Sequence, residues 1–144
     1  MYHLHEEAKV IHRDIKVDNI LFSKKDMLVK LTDFTIARDE IEEDTRLFDS
    51  EGTPVFTAPE SHIVEKDGYK PKPTDIWSFG VCLYTYVSGK VPFYAEGELE
   101  MQLNSRNKEV EIPTGFSKEL TELINTLLNK DPMQRLTAFE LYNH

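Results

Sequence analysis

The sequence predicts a mainly α-helical fold with small β-hairpins, and three observations carry this prediction. In residues 75–88, apolar side chains cover every face of a predicted helix, which is typical of a helix buried on all sides. In residues 117–128, leucine and isoleucine recur at helical spacing, which predicts an amphipathic helix packed by one face. Ahead of both, the apolar runs are short and separated by polar residues, as strands are.

The predicted strands lie near the amino terminus. β-Prone runs occupy residues 10–11, 20–22 and 28–31. Polar residues at 23–26 separate the last two runs and predict a hairpin turn. A small hairpin therefore precedes the predicted helices.

Local signals predict where the helices begin and end. Pro71 belongs to a predicted linker, and Thr74 is the expected cap of the buried helix. Gly89 follows that helix and predicts its end. A last helix is predicted to open at Thr137, because Glu140 three residues later completes a capping box.

Composition narrows the class of partner. A chain of 144 residues is normally one domain with its own core. Its 17 basic and 26 acidic residues give a net charge of −9, which argues against a nucleic-acid or anionic-membrane partner. We expect protein partners instead.

Cysteine use and hydropathy bear on the compartment. The lone cysteine, Cys82, cannot form an internal disulfide, so a reducing compartment is expected. No apolar stretch approaches the roughly 18 residues of a membrane span, and residues 1–10 show no signal-peptide pattern. These observations predict a cytoplasmic protein, with the nucleus as the alternative.

Three motifs carry the functional prediction. Residues 12–19 read HRDIKVDN, residues 31–35 read LTDFT, and residues 52–60 read GTPVFTAPE. In this order and at these spacings, they resemble the catalytic loop, magnesium loop and activation segment of a protein kinase. The resemblance implies the fold of a kinase C-terminal lobe, an α+β arrangement.

The chemistry of phosphoryl transfer fits four of these side chains. The reaction needs a carboxylate for the proton of the acceptor hydroxyl, cations against the phosphate charge, and rigid placement of both. Asp14 is the candidate carboxylate, and Lys16 can direct its ammonium group at the phosphate of ATP. Asn19 and Asp33 offer the oxygen ligands that Mg²⁺ prefers. Each alone would more commonly be a turn or surface residue, but the joint pattern reverses those odds.

Two positions indicate the class of kinase. Lys16, two residues after Asp14, resembles the lysine of serine/threonine kinases. Thr53 resembles the activation-segment threonine that contacts both of those residues in the same class. The resemblance therefore implies a serine/threonine kinase that acts on a protein substrate.

Other matched positions are expected to be architectural. By resemblance, Asp75 should bind backbone N–H groups of the catalytic loop. Glu60 and Arg135 should form an ion pair that anchors the activation segment. His12 and Phe34 should stack on each other in the interior.

Two positions are less usual for a kinase. Thr35 stands where most kinases have glycine, and a β-branched residue should restrict this loop. Asp49 lies near where many kinases carry an activating phosphate, and Arg13 would pair with such a phosphate. We hypothesise that Asp49 supplies a fixed charge and that Ser50 is a candidate modification site. Unchanged turnover of a complete enzyme after Asp49→Ala would contradict the fixed-charge hypothesis.

A metal site of another kind is disfavoured. His3, His5 and His12 invite comparison with a zinc site, but His3 and His5 are only two apart and no cysteine cluster accompanies them. The sequence also has no basic amphipathic helix of the kind that binds calmodulin. Calmodulin regulation is therefore not implied.

The activation segment points to a subfamily. The run at residues 52–60 is most similar to that of calcium/calmodulin-dependent protein kinase kinases and their plant relatives. Those enzymes phosphorylate the activation loops of AMP-activated-type kinases, and the plant relatives also carry a small hydroxyl residue at the position of Thr35. The resemblance thus implies that another kinase is the substrate.

The resemblance covers residues 1–144 but only the C-terminal part of a kinase domain, so the N-terminal lobe is absent from this sequence. No G-x-G-x-x-G run occurs among the six glycines. Two interpretations stay open: a truncated record of an active kinase, or a genuine inactive module that binds protein partners. The intact catalytic and magnesium positions favour the first.

Overall fold

The computed structural model describes residues 1–39, 42–62 and 66–144. Glu40, Ile41 and residues 63–65 lie outside the described residues. In the described part, one two-stranded sheet is followed by five α-helices: β1 at Ile20–Ser23, β2 at Leu28–Leu31, α1 at Pro59–His62, α2 at Pro71–Ser88, α3 at Glu98–Asn107, α4 at Lys118–Leu127 and α5 at Ala138–Tyr142. Single turns of other helix types lie at His3–Glu7, Val17–Asn19, Pro54–Phe56 and Pro132–Gln134. The fold is mainly α, as predicted.

The predicted hairpin is confirmed, and its turn is shifted by one residue. β1 pairs antiparallel with β2, so that Ile20 lies opposite Leu31 and Ser23 opposite Leu28. The turn therefore occupies residues 24–27. The run at 10–11 was predicted as a strand, but Ile11 forms only an isolated bridge, to Arg38.

Helix α2 lies at the centre of the fold. Trp77 and Val81 have no exposed surface, and they belong to a core cluster that also includes Ile124 of α4. Gly80 permits the close approach of these helices, since a Cβ atom there would lie 2.8 Å from Leu127 Cβ. The prediction of burial on all sides is wrong at Tyr86, which is 88% exposed. Among the described residues, no helix combines the length and hydropathy that crossing a membrane requires.

The start of α2 differs from the prediction. Pro71 is the first residue of the helix rather than part of a linker, and extended Lys70 precedes it. Thr74 is therefore not the cap; its hydroxyl donates to the Pro71 carbonyl at 2.7 Å from within the first turn. Proline suits this position because its fixed φ is helical and its missing N–H would have no partner there. The end is as predicted, with Gly89 at φ 71° and its N–H bonded to Thr85.

The carboxy-terminal helices begin as predicted, while α3 was not predicted. The Ser117 hydroxyl accepts the Leu120 N–H at the start of α4. Thr137 and Glu140 form the reciprocal capping box of α5. Helix α3, which no sequence signal predicted, packs on α1 and on the turn at Pro54–Phe56.

An ion pair joins α1 to the carboxy-terminal region. The Arg135 guanidinium donates to both oxygens of Glu60, at 2.6 and 2.8 Å. It also donates to the carbonyls of Asn129 and Pro73 and lies 4.9 Å from the Trp77 ring centroid. The Arg135 side chain is fully buried. This pair confirms the expectation for both residues and fixes the end of the 52–60 segment.

Arg135→Gln is expected to lower the free energy of unfolding by about 3 to 5 kcal/mol, because it leaves the Glu60 carboxylate without its buried partner. The control is Lys118→Gln, which removes one partner of an exposed pair with Glu122 and should cost under about 1 kcal/mol. Urea unfolding followed by circular dichroism measures both variants. Equal losses would contradict an anchoring role for Arg135.

Candidate active site

A buried carboxylate fixes the loop that carries the first motif. Asp75 of α2 is 1% exposed and accepts the backbone N–H groups of His12 and Arg13 at 2.8 and 2.9 Å. Its Oδ2 also bonds His5 Nε2 at 2.9 Å. The expectation for Asp75 is confirmed, while the contact of His5 was not predicted. Two of these bonds hold the residues directly ahead of Asp14, and the His5 bond holds the Asp75 carboxylate itself.

Asp14, Lys16 and Thr53 form one hydrogen-bonded cluster. Asp14 Oδ1 accepts the Thr53 N–H at 3.0 Å and the Thr53 hydroxyl at 2.7 Å. Asp14 Oδ2 accepts from Lys16 Nζ at 2.7 Å, and Lys16 also donates to the Thr53 hydroxyl at 3.0 Å. The structure therefore joins the first motif to the third through these side chains.

These bonds set the charge states of the cluster. Burial by itself would raise the pKa of Asp14, but hydrogen bonds from Lys16 and Thr53 outweigh it and leave the pKa below its ordinary value. The bond to Asp14 raises the pKa of Lys16. At neutral pH the pair is therefore a carboxylate beside an ammonium group.

Asn19 lies against the same carboxylate. Its side chain is buried, and its Nδ2 donates to the Asp14 carbonyl at 2.8 Å and to Asp14 Oδ2 at 3.3 Å. These bonds occupy the amide nitrogen and orient the amide oxygen away from Asp14. That oxygen is available as a ligand for a cation.

Asp33 follows β2 and is brought to the catalytic loop by its neighbours. The Thr32 N–H donates to the Asn19 carbonyl at 3.0 Å, and His12 Nε2 donates to the Thr32 carbonyl at 2.9 Å. The rings of His12 and Phe34 are in contact, with centroids 4.6 Å apart and planes inclined by 58°. His12 is buried, but Phe34 is 47% exposed, so the expected interior position is confirmed for His12 and wrong for Phe34. Two hydrogen bonds and one ring contact thus place Asp33 beside the loop.

Asp33 is exposed and only one of its oxygens is held. It adopts φ 63°, and its Oδ1 accepts the Thr35 N–H and hydroxyl. The bonds from Thr35 are the main cause of a lowered Asp33 pKa, and the nearby Lys16 charge contributes. The contact of Thr35 was not predicted, although an Asp side chain commonly accepts the backbone N–H two positions later, as in an Asx turn. Thr35 therefore restricts the carboxylate as well as the backbone.

The oxygen donors fit a magnesium ion. Asp33 Oδ2 and the Asn19 amide oxygen accept no hydrogen bond from the described residues, and both are hard oxygen ligands of the type that Mg²⁺ takes with water and phosphate. Within the described ranges, no three His, Cys, Asp or Glu side chains gather as a metal cluster. Two protein ligands suit Mg²⁺, which keeps water and phosphate oxygens in its shell.

Asp49 pairs with Arg13, as hypothesised. Arg13 Nη2 donates to Asp49 Oδ1 at 2.7 Å, and the Arg13 side chain is only 4% exposed. Arg38 Nη2 reaches Asp49 Oδ2 at 3.3 Å, and the Tyr69 hydroxyl donates to the Asp49 carbonyl at 2.8 Å. Burial would raise the pKa of Asp49, but the Arg13 bond outweighs it and leaves the pKa lowered. The contacts of Arg38 and Tyr69 were not predicted.

Comparison with known proteins identifies the family. The family model described as "Protein kinase domain" matches residues 1–144. The chain belongs to the protein kinase family. All relatives named below are serine/threonine-protein kinases, so kinase function is supported at the level of the family.

Three relatives show how far the similarity extends. GRIK2 of Arabidopsis thaliana is 39% identical over 142 residues, which is 99% of this chain and 34% of that protein. Human SNF-related serine/threonine-protein kinase is 36% identical over 94% of this chain and 17% of its own length. Serine/threonine-protein kinase 40 of Xenopus tropicalis is 34% identical over 96% of this chain and 31% of its own length. The chain thus spans about a third or less of these relatives.

Asp49→Asn is expected to lower the free energy of unfolding at pH 7 by about 1 kcal/mol, because the buried Arg13 charge loses its partner at a partly exposed site. The folded-state pKa of Asp49 is lowered, so the wild-type advantage is full above about pH 4 and shrinks as pH falls through that pKa. Urea unfolding between pH 3 and pH 7 measures this. Asp44→Asn, at an exposed position of the same segment, is the control. An advantage independent of pH would contradict a charge-based role.

Proposed function

We propose that this chain is the C-terminal part of a serine/threonine kinase domain, which transfers the γ-phosphate of ATP to a hydroxyl of a protein substrate. The single observation that carries the proposal is the cluster of Asp14, Lys16 and Thr53, with Asn19 bonded to the same carboxylate. Phosphoryl transfer uses a group that positions the acceptor hydroxyl and cations that offset phosphate charge, and this cluster supplies a carboxylate beside an ammonium group.

The roles follow from the charges and bonds. Asp14 is ionised and can accept the hydrogen of the acceptor hydroxyl. Lys16 keeps its charge and can stabilise negative charge on the transferred group. Thr53 connects Asp14 and Lys16 to the activation segment. The order of that segment and the geometry of the two charged side chains therefore depend on each other.

ATP and Mg²⁺ complete the proposal. Asn19 and Asp33 would hold the metal through their side-chain oxygens. The bound ion supplies neutralisation of phosphate charge. The chain's own contribution is to fix these oxygens, through Asp14 for Asn19 and through Thr35 for Asp33.

The proposed acceptor is another protein kinase. The run at residues 52–60 is similar to that of kinases which phosphorylate the activation loops of other kinases, and a plant relative is among the matches. We further propose that Asp49 orders the activation segment without a phosphate, since it already neutralises Arg13. Cys82 is the lone cysteine and forms no internal disulfide, which supports a reducing location such as the cytoplasm or nucleus.

A second candidate function is an inactive module that binds protein partners. Residues 1–144 contain no Gly-rich loop, and the hairpin exposes apolar side chains that a further element could cover. These are Leu21, Phe22, Met27, Leu28 and Val29, each at least 52% exposed. An in-frame upstream sequence that encodes a Gly-rich loop and a strand lysine would decide for the first function.

Asp14→Asn is expected to lower kcat by about 10²- to 10⁴-fold with little change in KM for ATP, because the variant loses the proton acceptor. The assay uses a chimaera in which residues 1–144 replace the matching region of the Arabidopsis relative, with phosphate transfer to a protein as the readout. Asp18→Asn, an exposed change four residues away, is the control. Full activity of the Asp14 variant would contradict the proposed role.

The isolated chain is expected to bind Mg·ATP with a Kd of about 1 mM or weaker, because residues 1–144 provide metal ligands but no phosphate cover or adenine pocket. Isothermal titration calorimetry measures this. The chimaera described above serves as the positive control. Micromolar binding by the isolated chain would contradict this expectation.

A further inference from the structure

The structure contains a concave site that no residue of the Asp14 cluster lines. It has a volume of about 540 Å³ and is formed where four distant parts of the chain meet. These parts are the segment that carries Arg46, the start of α1, the residues just before α2, and the contact between the end of α3 and residues 130–133. The volume is within the range of pockets that hold small ligands or a few residues of a peptide.

The lining of this pocket is basic in an acidic chain. Arg46, Lys70, Arg106 and Lys130 line it, and Glu60 is the one carboxylate among its described lining residues. Both Glu60 oxygens are bound by Arg135, so this carboxylate is already neutralised. Across the whole chain, acidic residues outnumber basic residues by 26 to 17. The pocket therefore concentrates positive charge against the overall balance.

Three of these cations are available. Within residues 1–39, 42–62 and 66–144, Arg46, Lys70 and Arg106 take part in no ion pair. A guanidinium group presents a planar pair of donors that matches a carboxylate or phosphate group. Two arginines and a lysine around one concavity thus form a receptor for oxyanions.

Lys130 supplies a fixed positive charge at the pocket wall. Its Nζ donates to the Ser105 carbonyl at 2.7 Å and lies 4.0 Å from the Phe93 ring centroid and 5.0 Å from that of Trp77. Burial is the main cause that lowers its pKa to about 8. An ammonium group held in a partly dehydrated place is stabilised by a nearby anion.

We propose that this pocket binds an acidic segment of the protein substrate, through carboxylate or phosphate groups at a distance from the phosphorylated hydroxyl. The inference rests on the proposed kinase function only for the identity of the partner. Pro59 and Glu60, which end the 52–60 segment, line the pocket, so the pocket adjoins the segment whose Thr53 contacts Asp14. A substrate could therefore contact both places at once.

The charge distribution favours a protein segment over other polyanions. With a net charge of −9, the chain as a whole repels an extended nucleic acid or an anionic bilayer. Both of those partners also need a broad basic face, whereas these cations converge on a concavity. A short acidic peptide fits the concavity and avoids the acidic surroundings.

The test is direct binding by the 144-residue chain, measured by fluorescence anisotropy with labelled 12-residue Gly/Ser peptides. One peptide carries four glutamates, a second carries one phosphoserine, and a third carries four glutamines. We expect the glutamate or the phosphoserine peptide to bind at least tenfold more tightly than the glutamine peptide. Whichever of these two peptides binds more tightly identifies the preferred anionic group, carboxylate or phosphate.

Charge reversal locates the binding. Arg46→Glu and Arg106→Glu, both at exposed positions, should each weaken the preferred peptide about tenfold and leave the unfolding midpoint in urea unchanged. Lys108→Glu, an exposed change outside the pocket, is the matched control and should leave affinity within about twofold. Equal binding of all three peptides, equal loss with the control, or tighter binding of a single-stranded oligonucleotide would each overturn the proposal. None of these results depends on phosphate transfer, so the kinase proposal stands or falls separately.

Discussion

The Asp75 carboxylate is the contact on which the rest of the site depends. It is almost fully buried and lies on the central helix α2, whose position the core determines. An uncompensated charge there would be very unfavourable, but the carboxylate accepts two backbone N–H groups and the His5 ring. Since a carboxylate only accepts, His5 Nε2 carries the hydrogen of that bond. The helix therefore sets the position of the Asp14 loop directly.

Hydrogen bonds hold two residues of the site in unfavourable backbone conformations. Arg13 and Asp33 both adopt left-handed φ, at 71° and 63°, which costs a non-glycine residue about 1 to 2 kcal/mol. Asp75 holds the Arg13 N–H, and Thr35 holds the Asp33 side chain. One of these residues immediately precedes Asp14 and the other is the second carboxylate. Among the described non-glycine residues, Lys9 and Met27 also have positive φ, so strain is not unique to the site, but at Arg13 and Asp33 it lies at the positions that direct the two carboxylates.

Helix boundaries were predicted correctly where a single local sequence signal marked them, and incorrectly where two signals competed. The capping box at Thr137 and the stop at Gly89 depend on neighbours within four residues, and both were right. At the start of α2, the sequence placed Pro71 in a linker and the cap at Thr74, but the fixed helical φ of Pro71 starts the helix three residues earlier. Helix α3 gave no signal because its leucines are exposed and its order comes from packing on α1.

In the site, too, local sequence motifs were informative, whereas contacts between residues far apart in the chain required the structure. The motifs indicated which residues belong together, but only the fold shows which atoms meet. The bond of Arg13 to Asp49 spans 36 positions, and that of Arg135 to Glu60 spans 75. The contacts of Arg38 and Tyr69 with Asp49 had no sequence signal, because the paired positions are 11 and 20 residues apart and no local rule links them. Thr35 is different, since its bond to Asp33 was within reach of a local rule.

The different surroundings of Asp14 and Asp33 explain how two carboxylates could serve different purposes in the proposed reaction. Both oxygens of Asp14 are held by protein donors, whereas Asp33 has one oxygen held and one exposed. The donors lower the pKa of Asp14, which makes it a weak base. Phosphoryl transfer through a loose transition state demands little proton abstraction, so a weak but rigid acceptor is sufficient. Asp14 is therefore better suited to orient a hydroxyl than to deprotonate it early, while Asp33 keeps an oxygen for the metal.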